Sequence, residues 1–304
     1  MIQKEQRYLK MSDGKDLYTY IWSDTDVAPS KAIILCHGMA EHIDRYEQFA
    51  RVLVNNGFIV LGYNQRGHKL TDEKDDYGYM GPSNNFNILV SDVDEIIEYI
   101  KVKRPGMPIY LFGHSMGSFV STRVSELYGS KLAGVVLCGS GRNPNLILNM
   151  GAFVASIIRV FRGKKHRSKL INAMAFGAFN KKFAPNRSEF DWLNTVDEEV
   201  DKYIADEWCG GIFTLKYYHD FFKGCVKVTK NIKKIPNDLP ILLIAGDKDP
   251  VGNDGKGVKA VYDDLIKFNS NVSIKLIEGA RHEILLEKKK EEVIEEIVSF
   301  LKNN

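Results

Sequence analysis

The stretch Ile109-Tyr110-Leu111-Phe112-Gly113-His114-Ser115-Met116-Gly117-Ser118-Phe119-Val120 constrains this chain more than any other. Its apolar start, Ile109 to Phe112, reads as a buried strand. Gly-His-Ser-Met-Gly follows without a spacer, and Phe119, Val120 and Val124 then open a helical pattern. So short a passage from strand to helix puts its apex residue, Ser115, in a strained backbone conformation. The residues two positions away must be small, and they are Gly113 and Gly117. The hydroxyl is thereby lifted above the sheet edge at the start of a helix, where free N–H groups and the helix dipole favour developing negative charge. The plain alternative is a glycine-rich turn whose serine only caps the helix. Partners elsewhere in the chain decide between the two.

The rest of the sequence supplies a matching frame. Ala32 to Cys36, Phe58 to Tyr63, Leu132 to Cys138 and Leu239 to Ala245 are largely apolar runs, as expected of strands covered on both faces, and Val272 to Ile277 reads as a further strand. Helical periods separate them: Tyr46 to Val54, about Phe86 to Lys103, about Val258 to Phe268, and a charged C-terminal helix to about Leu301. This alternation predicts an α/β fold with a mostly parallel, doubly wound sheet. Tyr18, Tyr20 and Trp22 alternate after the turn signal Asp13-Gly14, which predicts an antiparallel edge hairpin near the N-terminus. From Arg142 to about Val228 the alternation stops and only helical patterns remain. The expected organisation is a core of residues 1–141 and 229–304 with a helical cap, 142–228, inserted into it. One cap helix is strongly apolar (Leu146, Met150, Phe153, Val154, Ile157, Phe161) and ends in the basic run Arg162 to Lys169.

Composition excludes some functions. With 42 basic and 39 acidic residues the net charge is +3, so no whole-protein footprint for nucleic acid exists. Cys36, Cys138, Cys209 and Cys225 show no metal-type spacing, and neither a metal nor a cofactor is expected. The first residues are charged and lack an apolar leader segment, and no stretch approaches the length of a transmembrane helix. The expectation is a soluble, cytoplasmic protein in a reducing compartment.

A serine hydroxyl is a poor nucleophile at neutral pH. It needs a base, and the base needs an orienting carboxylate. In an α/β-hydrolase these follow the serine in the order acid, then histidine, each in a loop after a strand. Of the seven histidines only His282, in Gly279-Ala280-Arg281-His282-Glu283, lies just beyond a late strand. The acid belongs to Gly246-Asp247-Lys248-Asp249-Pro250. Asp249, held in an extended conformation by the proline after it, is favoured over Asp247, which suits a turn. Two backbone N–H groups must receive the oxyanion. Met116, directly after the serine, offers one. Met39, in the loop His37-Gly38-Met39 after the first buried run, offers the other, with His37 positioning that loop.

With these residues placed, the chain resembles the α/β-hydrolase superfamily throughout. It is most similar to the branch of monoacylglycerol lipases, bacterial lysophospholipases and the serine aminopeptidase group. His37-Gly38-Met39-Ala40-Glu41-His42 with Arg45-Tyr46, Arg66-Gly67-His68, Gly113-His114-Ser115-Met116-Gly117 and Gly279-Ala280-Arg281-His282-Glu283 carry the resemblance. It implies a triad of Ser115, Asp249 and His282, an oxyanion hole at Met39 and Met116, a cap over the site, and acyl-ester substrates. One departure is Asn64-Gln65-Arg66-Gly67-His68-Lys69, where the family usually has Asp-x-Arg-Gly-His-Gly.

A serine nucleophile suits carboxylic esters, thioesters or small amides. The first expectation is an acyl-ester hydrolase acting on monoacylglycerol- or lysophospholipid-like lipid through an acyl-enzyme. The apolar cap helix either lines an acyl pocket or merely packs onto the core. The basic run 162–169 is either a site for a phosphorylated headgroup or anionic membrane surface, or a solvated loop. An aminopeptidase would need an acidic cap residue to hold the substrate amine, and Glu189, Asp191 and Glu207 are candidates. A small-ester esterase and a non-catalytic binding protein are the remaining alternatives.

Overall fold

The computed structural model describes residues 1–82, 86–142 and 144–304, the side chain of residue 229 apart; residue 143 of the expected cap thus lies outside the described residues. The chain begins with the hairpin β1 (Ile2–Lys10) and β2 (Asp16–Asp24), paired antiparallel with Tyr8 opposite Tyr18. There follow β3 (Lys31–Cys36), α1 (Glu47–Asn55), β4 (Phe58–Tyr63), α2 (Asn87–Lys103), β5 (Ile109–His114), α3 (Met116–Tyr128) and β6 (Gly134–Cys138). A helical excursion comes next: α4 (Asn145–Arg162), α5 (Lys169–Phe176), α6 (Asp197–Ala205) and α7 (Leu215–Asn231). The chain then returns through β7 (Ile241–Gly246), α8 (Lys256–Leu265), β8 (Val272–Ile277) and α9 (Lys290–Asn303).

The eight strands form one sheet in the order β1-β2-β4-β3-β5-β6-β7-β8, parallel from β4 to β8. Alternate side chains of the buried strands feed two cores, as a period of two requires. Ile34 of β3 and Leu111 of β5 pack with α2 and α3 on one face. Ile33, Leu35, Tyr110 and Phe112 pack with α1 and α9 on the other. This doubly covered sheet explains why the central strands read as unbroken apolar runs. Element ends differ from the sequence expectation by a few residues. Leu132 and Ala133 precede β6 because Leu132 closes a turn with Gly129.

Among the described residues, the excursion between β6 and β7 contains no strand, only an isolated bridge between Arg167 and Thr214. Its last helix, α7, continues past 228 to Asn231 and shares the first core with α3, so the return to the sheet comes later than the expected boundary. One expectation needs correction. At 18 residues, α4 is long and apolar enough to cross a membrane by length and composition alone, and 22% of it is buried in the fold. Its pattern hid this because Arg159 and Arg162 fall in its last turn.

Candidate active site

The β5–α3 passage takes the sharp turn that its glycines foretell. Ser115 has φ 52° and ψ −118°, a conformation costing about 1–3 kcal/mol that its surroundings must hold in place. Its N–H donates to Cys138 O of β6 at 2.9 Å, and its carbonyl accepts from Ser118 N at 2.8 Å. Gly117 is required by crowding: a Cβ there would lie 2.1 Å from Cys36 O. At Gly38 a Cβ would lie 2.6 Å from Glu41 Oε1 and 3.2 Å from the Ser115 Cβ, so the β3 loop comes close to the serine only because this residue is glycine. Among the described residues, no backbone hydrogen bond takes up the N–H of Met39 or Met116.

The β3 loop is held by its own histidine. His37 Nδ1 donates to Gly38 O at 2.7 Å, and its Nε2 accepts from Gln65 N at 3.0 Å. Burial pushes this imidazole down to about 4, which keeps the ring neutral and able to do both. Gln65 also donates its side-chain amide to His37 O at 2.5 Å.

Across the sheet edge, His282 Nδ1 lies 2.9 Å from Asp249 Oδ2, with both side chains buried. Asp249 Oδ1 accepts from Val251 N at 2.8 Å, so both carboxylate oxygens have fixed partners. Asp247 instead accepts from Gly279 N at 2.8 Å and belongs to the turn, away from the imidazole. Ser115 and His282 line one cavity of about 490 Å³. Gly38, Met39, Phe176, Phe190, Trp192 and Tyr203 form much of its wall, and no Lys or Arg lies among its described lining.

Sequence reasoning assigned no role to the charged cluster beneath this cavity. Glu41 Oε1 accepts from Gly38 N at 2.5 Å, from Tyr46 OH at 2.9 Å and from His114 Nδ1 at 3.1 Å. Arg45 donates to Glu41 at 2.9 Å and to both oxygens of Glu283 at 2.5 and 2.8 Å. His114 Nε2 donates to His282 O at 3.2 Å, so both its nitrogens face acceptors, which favours the protonated ring. Burial opposes that charge, but the hydrogen bond and negative charge of Glu41 outweigh it and raise the imidazole's pKa. Burial likewise opposes the Glu41 carboxylate, yet His114 and Arg45 hold it well below the usual range. The cluster ties the loops after β3, β5 and β8 together. Only the quoted stretch from Glu41 to Tyr46 hinted at it.

The basic run proves to be a clasp. Lys165 pairs with Asp76, Arg167 donates to Asp75 O and Tyr77 O at 3.1 and 2.7 Å, and His166 O accepts from Leu215 N at 2.9 Å. Its central cations thus hold the excursion against the loop before α2. Of the acidic candidates for an amine site, Asp191 is spent on Arg187 N and Ser188 N, and Glu207 pairs with Lys74. Only Glu189 lines the cavity. His42, Asp206 and Cys209 bring ligand-type atoms within 4.8 Å of one another, but His42 Nε2 already meets Asp206 at 2.7 Å.

A mostly parallel sheet in this order, with a strained serine over the C-terminal ends of its strands, defines an α/β-hydrolase. Residues 27–289 match the model of the serine aminopeptidase family S33, and the chain belongs to that family. It is 26% identical over 275 residues to monoglyceride lipase of Homo sapiens, covering 90% of this chain and 82% of the human one. It is 24% identical over 298 residues to the monoglyceride lipase homolog of monkeypox virus, covering 96% of each. Among solved structures, a thermostable carboxyl esterase from Bacillus coagulans, in complex with glycerol, superimposes with a TM-score of 0.89 at 26% identity, covering 99% of this chain and 98% of the esterase.

Proposed function

We propose that this chain is a carboxylic-ester hydrolase that cleaves monoacylglycerol-like lipids through a serine acyl-enzyme. One observation carries the reading: Ser115 and His282, the latter paired with Asp249, line a large, aromatic-walled cavity with no lysine or arginine among its described lining. Ser115 Oγ attacks the ester carbonyl while His282 takes its proton, braced by the Asp249 carboxylate. The N–H groups of Met39 and Met116 receive the negative oxygen. The tetrahedral intermediate collapses, and His282 returns the proton to the departing alkoxide. Water then attacks the acyl-serine by the same route in reverse.

The cavity wall selects the headgroup. A phosphodiester entering it would lose hydration and meet Glu41, Glu189 and Glu283 in the wall, with no lysine or arginine among the described lining, which is costly for an anion. A glycerol head needs only hydroxyl partners, such as Asn172 and Asn180 in the wall. This favours monoacylglycerols over lysophospholipids. The relatives named above are consistent with this preference. An aminopeptidase would use Glu189 to hold its substrate amine. We place the protein in the cytoplasm, where cysteines such as the buried Cys36 and Cys138 stay reduced.

The outer face of α4 is the surface that meets lipid. Leu146, Ile147, Met150, Phe153, Val160 and Phe161 are all exposed there, while the opposite face packs on α7. Arg162, Lys164 and Lys169 beside it are exposed cations suited to an anionic leaflet. Helix α5 joins surface to site: Leu170 and Met174 face outward, while Asn172, Ala173 and Phe176 line the cavity.

A fluorophosphonate probe with a panel of acyl esters, monoacylglycerols, lysophospholipids and aminoacyl amides tests the reading. The expected result is labelling lost in Ser115→Ala without loss of fold, and fastest turnover on medium- or long-chain monoacylglycerols. Turnover retained by Ser115→Ala would overturn the nucleophile. Best activity on lysophospholipids or aminoacyl amides would overturn the substrate. A wild type that neither reacts nor turns over any of them would be a binding protein.

A further inference from the structure

Hydrogen bonds to one carboxylate fix a histidine ring at a single point. The loop that carries His282 follows β8, a sheet-edge strand with half-exposed side chains. Beside the His114 bond to His282 O and the Arg45 bonds to Glu283, further support comes from the helical excursion. Trp192 sits in the short turn Asp191–Leu193, and its ring centroid is 5.2 Å from that of His282, inclined at 35°. Phe176 stacks with the same indole at 6.2 Å and Phe179 packs on it at 5.1 Å. The indole is 8% exposed, so it is wedged between the cavity wall and the imidazole.

The backbones on either side are locked together. Glu283 N donates to Leu193 O at 2.8 Å. The Arg281 guanidinium donates to Asn194 O at 3.0 Å and to Asp191 O. The Glu287 carboxylate accepts from Arg281 N at 2.9 Å, from Thr195 N at 3.0 Å and from the Thr195 hydroxyl. These bonds flank His282 on both sides in sequence, and all but the one from Arg281 N to Glu287 reach residues 191–195.

We propose that residues 191–195 are a brace for His282, in which Trp192 fixes the plane of the ring and Arg281 fixes the height of its loop. Trp192 and Arg281 are then positioning residues of the hydrolysis: neither exchanges a proton with the substrate, and both act through the histidine. The inference rests on the role given to His282 above. Its physical basis is tolerance. A catalytic group must be held to within about 0.5 Å, and a displacement of about 1 Å costs roughly a hundredfold in rate. The brace also ties the substrate wall to the chemistry, because Phe176 touches substrate space on one side and Trp192 on the other.

The test uses the full chain and p-nitrophenyl butyrate, whose short acyl group has little need of the aromatic wall. Trp192→Ala should lower kcat by about 30- to 100-fold with KM within about threefold, and Trp192→Phe should recover most of it. Arg281→Met should lower kcat about tenfold, and Arg281→Lys should recover part of that by keeping a donor. In proton NMR the low-field resonance of the His282–Asp249 hydrogen bond should broaden or vanish in Trp192→Ala and Arg281→Met. It should persist in Trp192→Phe. Loss confined to KM, or an unaltered low-field resonance in both Trp192→Ala and Arg281→Met, overturns the brace. If Trp192→Ala fails to fold by circular dichroism, Arg281→Met decides, and full kcat in that folded variant overturns the proposal. Failure of the underlying role of His282 is distinct: His282→Ala would then keep both turnover and fluorophosphonate labelling of Ser115.

Discussion

If α4 meets lipid, removing its two largest outward rings must weaken binding to vesicles without weakening the fold. Phe153 is 65% exposed and Phe161 is 81% exposed. Taking about 2.5 kcal/mol for complete burial of a phenylalanine and scaling by these exposures gives about 1.6 and about 2.0 kcal/mol. Their sum, about 3.6 kcal/mol, sets a ceiling of several hundredfold on the loss of partitioning, because the side chains enter an interface and not pure hydrocarbon. The Phe153→Ser, Phe161→Ser double variant should therefore partition at least about tenfold less onto phosphatidylcholine vesicles containing about 30% phosphatidylglycerol. Cosedimentation reads this directly. The melting temperature should hardly move, since neither ring contributes to the core, and turnover of a soluble short ester should be unchanged. Added salt should weaken wild-type binding, because Arg162, Lys164 and Lys169 act through solvent. Undiminished partitioning of the double variant, or a wild type that ignores vesicles of any charge, would refute the argument.

Other outcomes follow from the site itself. Asp249→Asn should cost about 10³- to 10⁴-fold in kcat by presenting the wrong partner to His282 Nδ1, whereas Asp247→Asn keeps an acceptor for Gly279 N and should stay within about tenfold. The reverse ranking in steady-state assays would move the acid. Gly117→Ala forces a Cβ to 2.1 Å from Cys36 O and should destabilise by about 3 kcal/mol or more in urea unfolding, unlike Gly106→Ala, whose site is open although its φ is positive. The Glu41–His114 pair gives a pH signature. A lowered Glu41 contributes stability above about pH 4.5 that is lost as pH falls through its folded value, and a raised His114 contributes stability below about pH 6.5 that is lost as pH rises through its folded value. The stability gap between wild type and His114→Asn should therefore peak between about pH 4.5 and 6.5 and shrink on the alkaline side; a gap that grows with pH would contradict the ion pair.

Short-range rules account for most of what residue order revealed. The central strands announced themselves because both faces of the sheet are covered there, and the elbow because Gly113, Ser115 and Gly117 meet a steric demand within five residues. Asp249 could be preferred over Asp247 since a following proline biases the backbone before any tertiary contact forms. The amphipathic character of α4 was visible too, but not its disposition. Only the packing of α7 against one face shows that the other is left to solvent. The role of the basic run 162–169 stayed open for a related reason: charge in a sequence carries no information on whether Asp76 and two backbone carbonyls stand opposite it.

Residue order by itself thus determined an α/β sheet, the turn that presents Ser115, and the order in which an acid and a histidine must follow. Tertiary structure alone decided what holds those groups: the buried cluster of Glu41, Arg45, His114 and Glu283, and the grip of residues 191–195 on the loop of His282. Periodicity and turn geometry act over a few neighbouring residues, where sequence is position. The grip and the cluster join residues separated by tens to hundreds of places, and their partners are fixed only once the loops have packed.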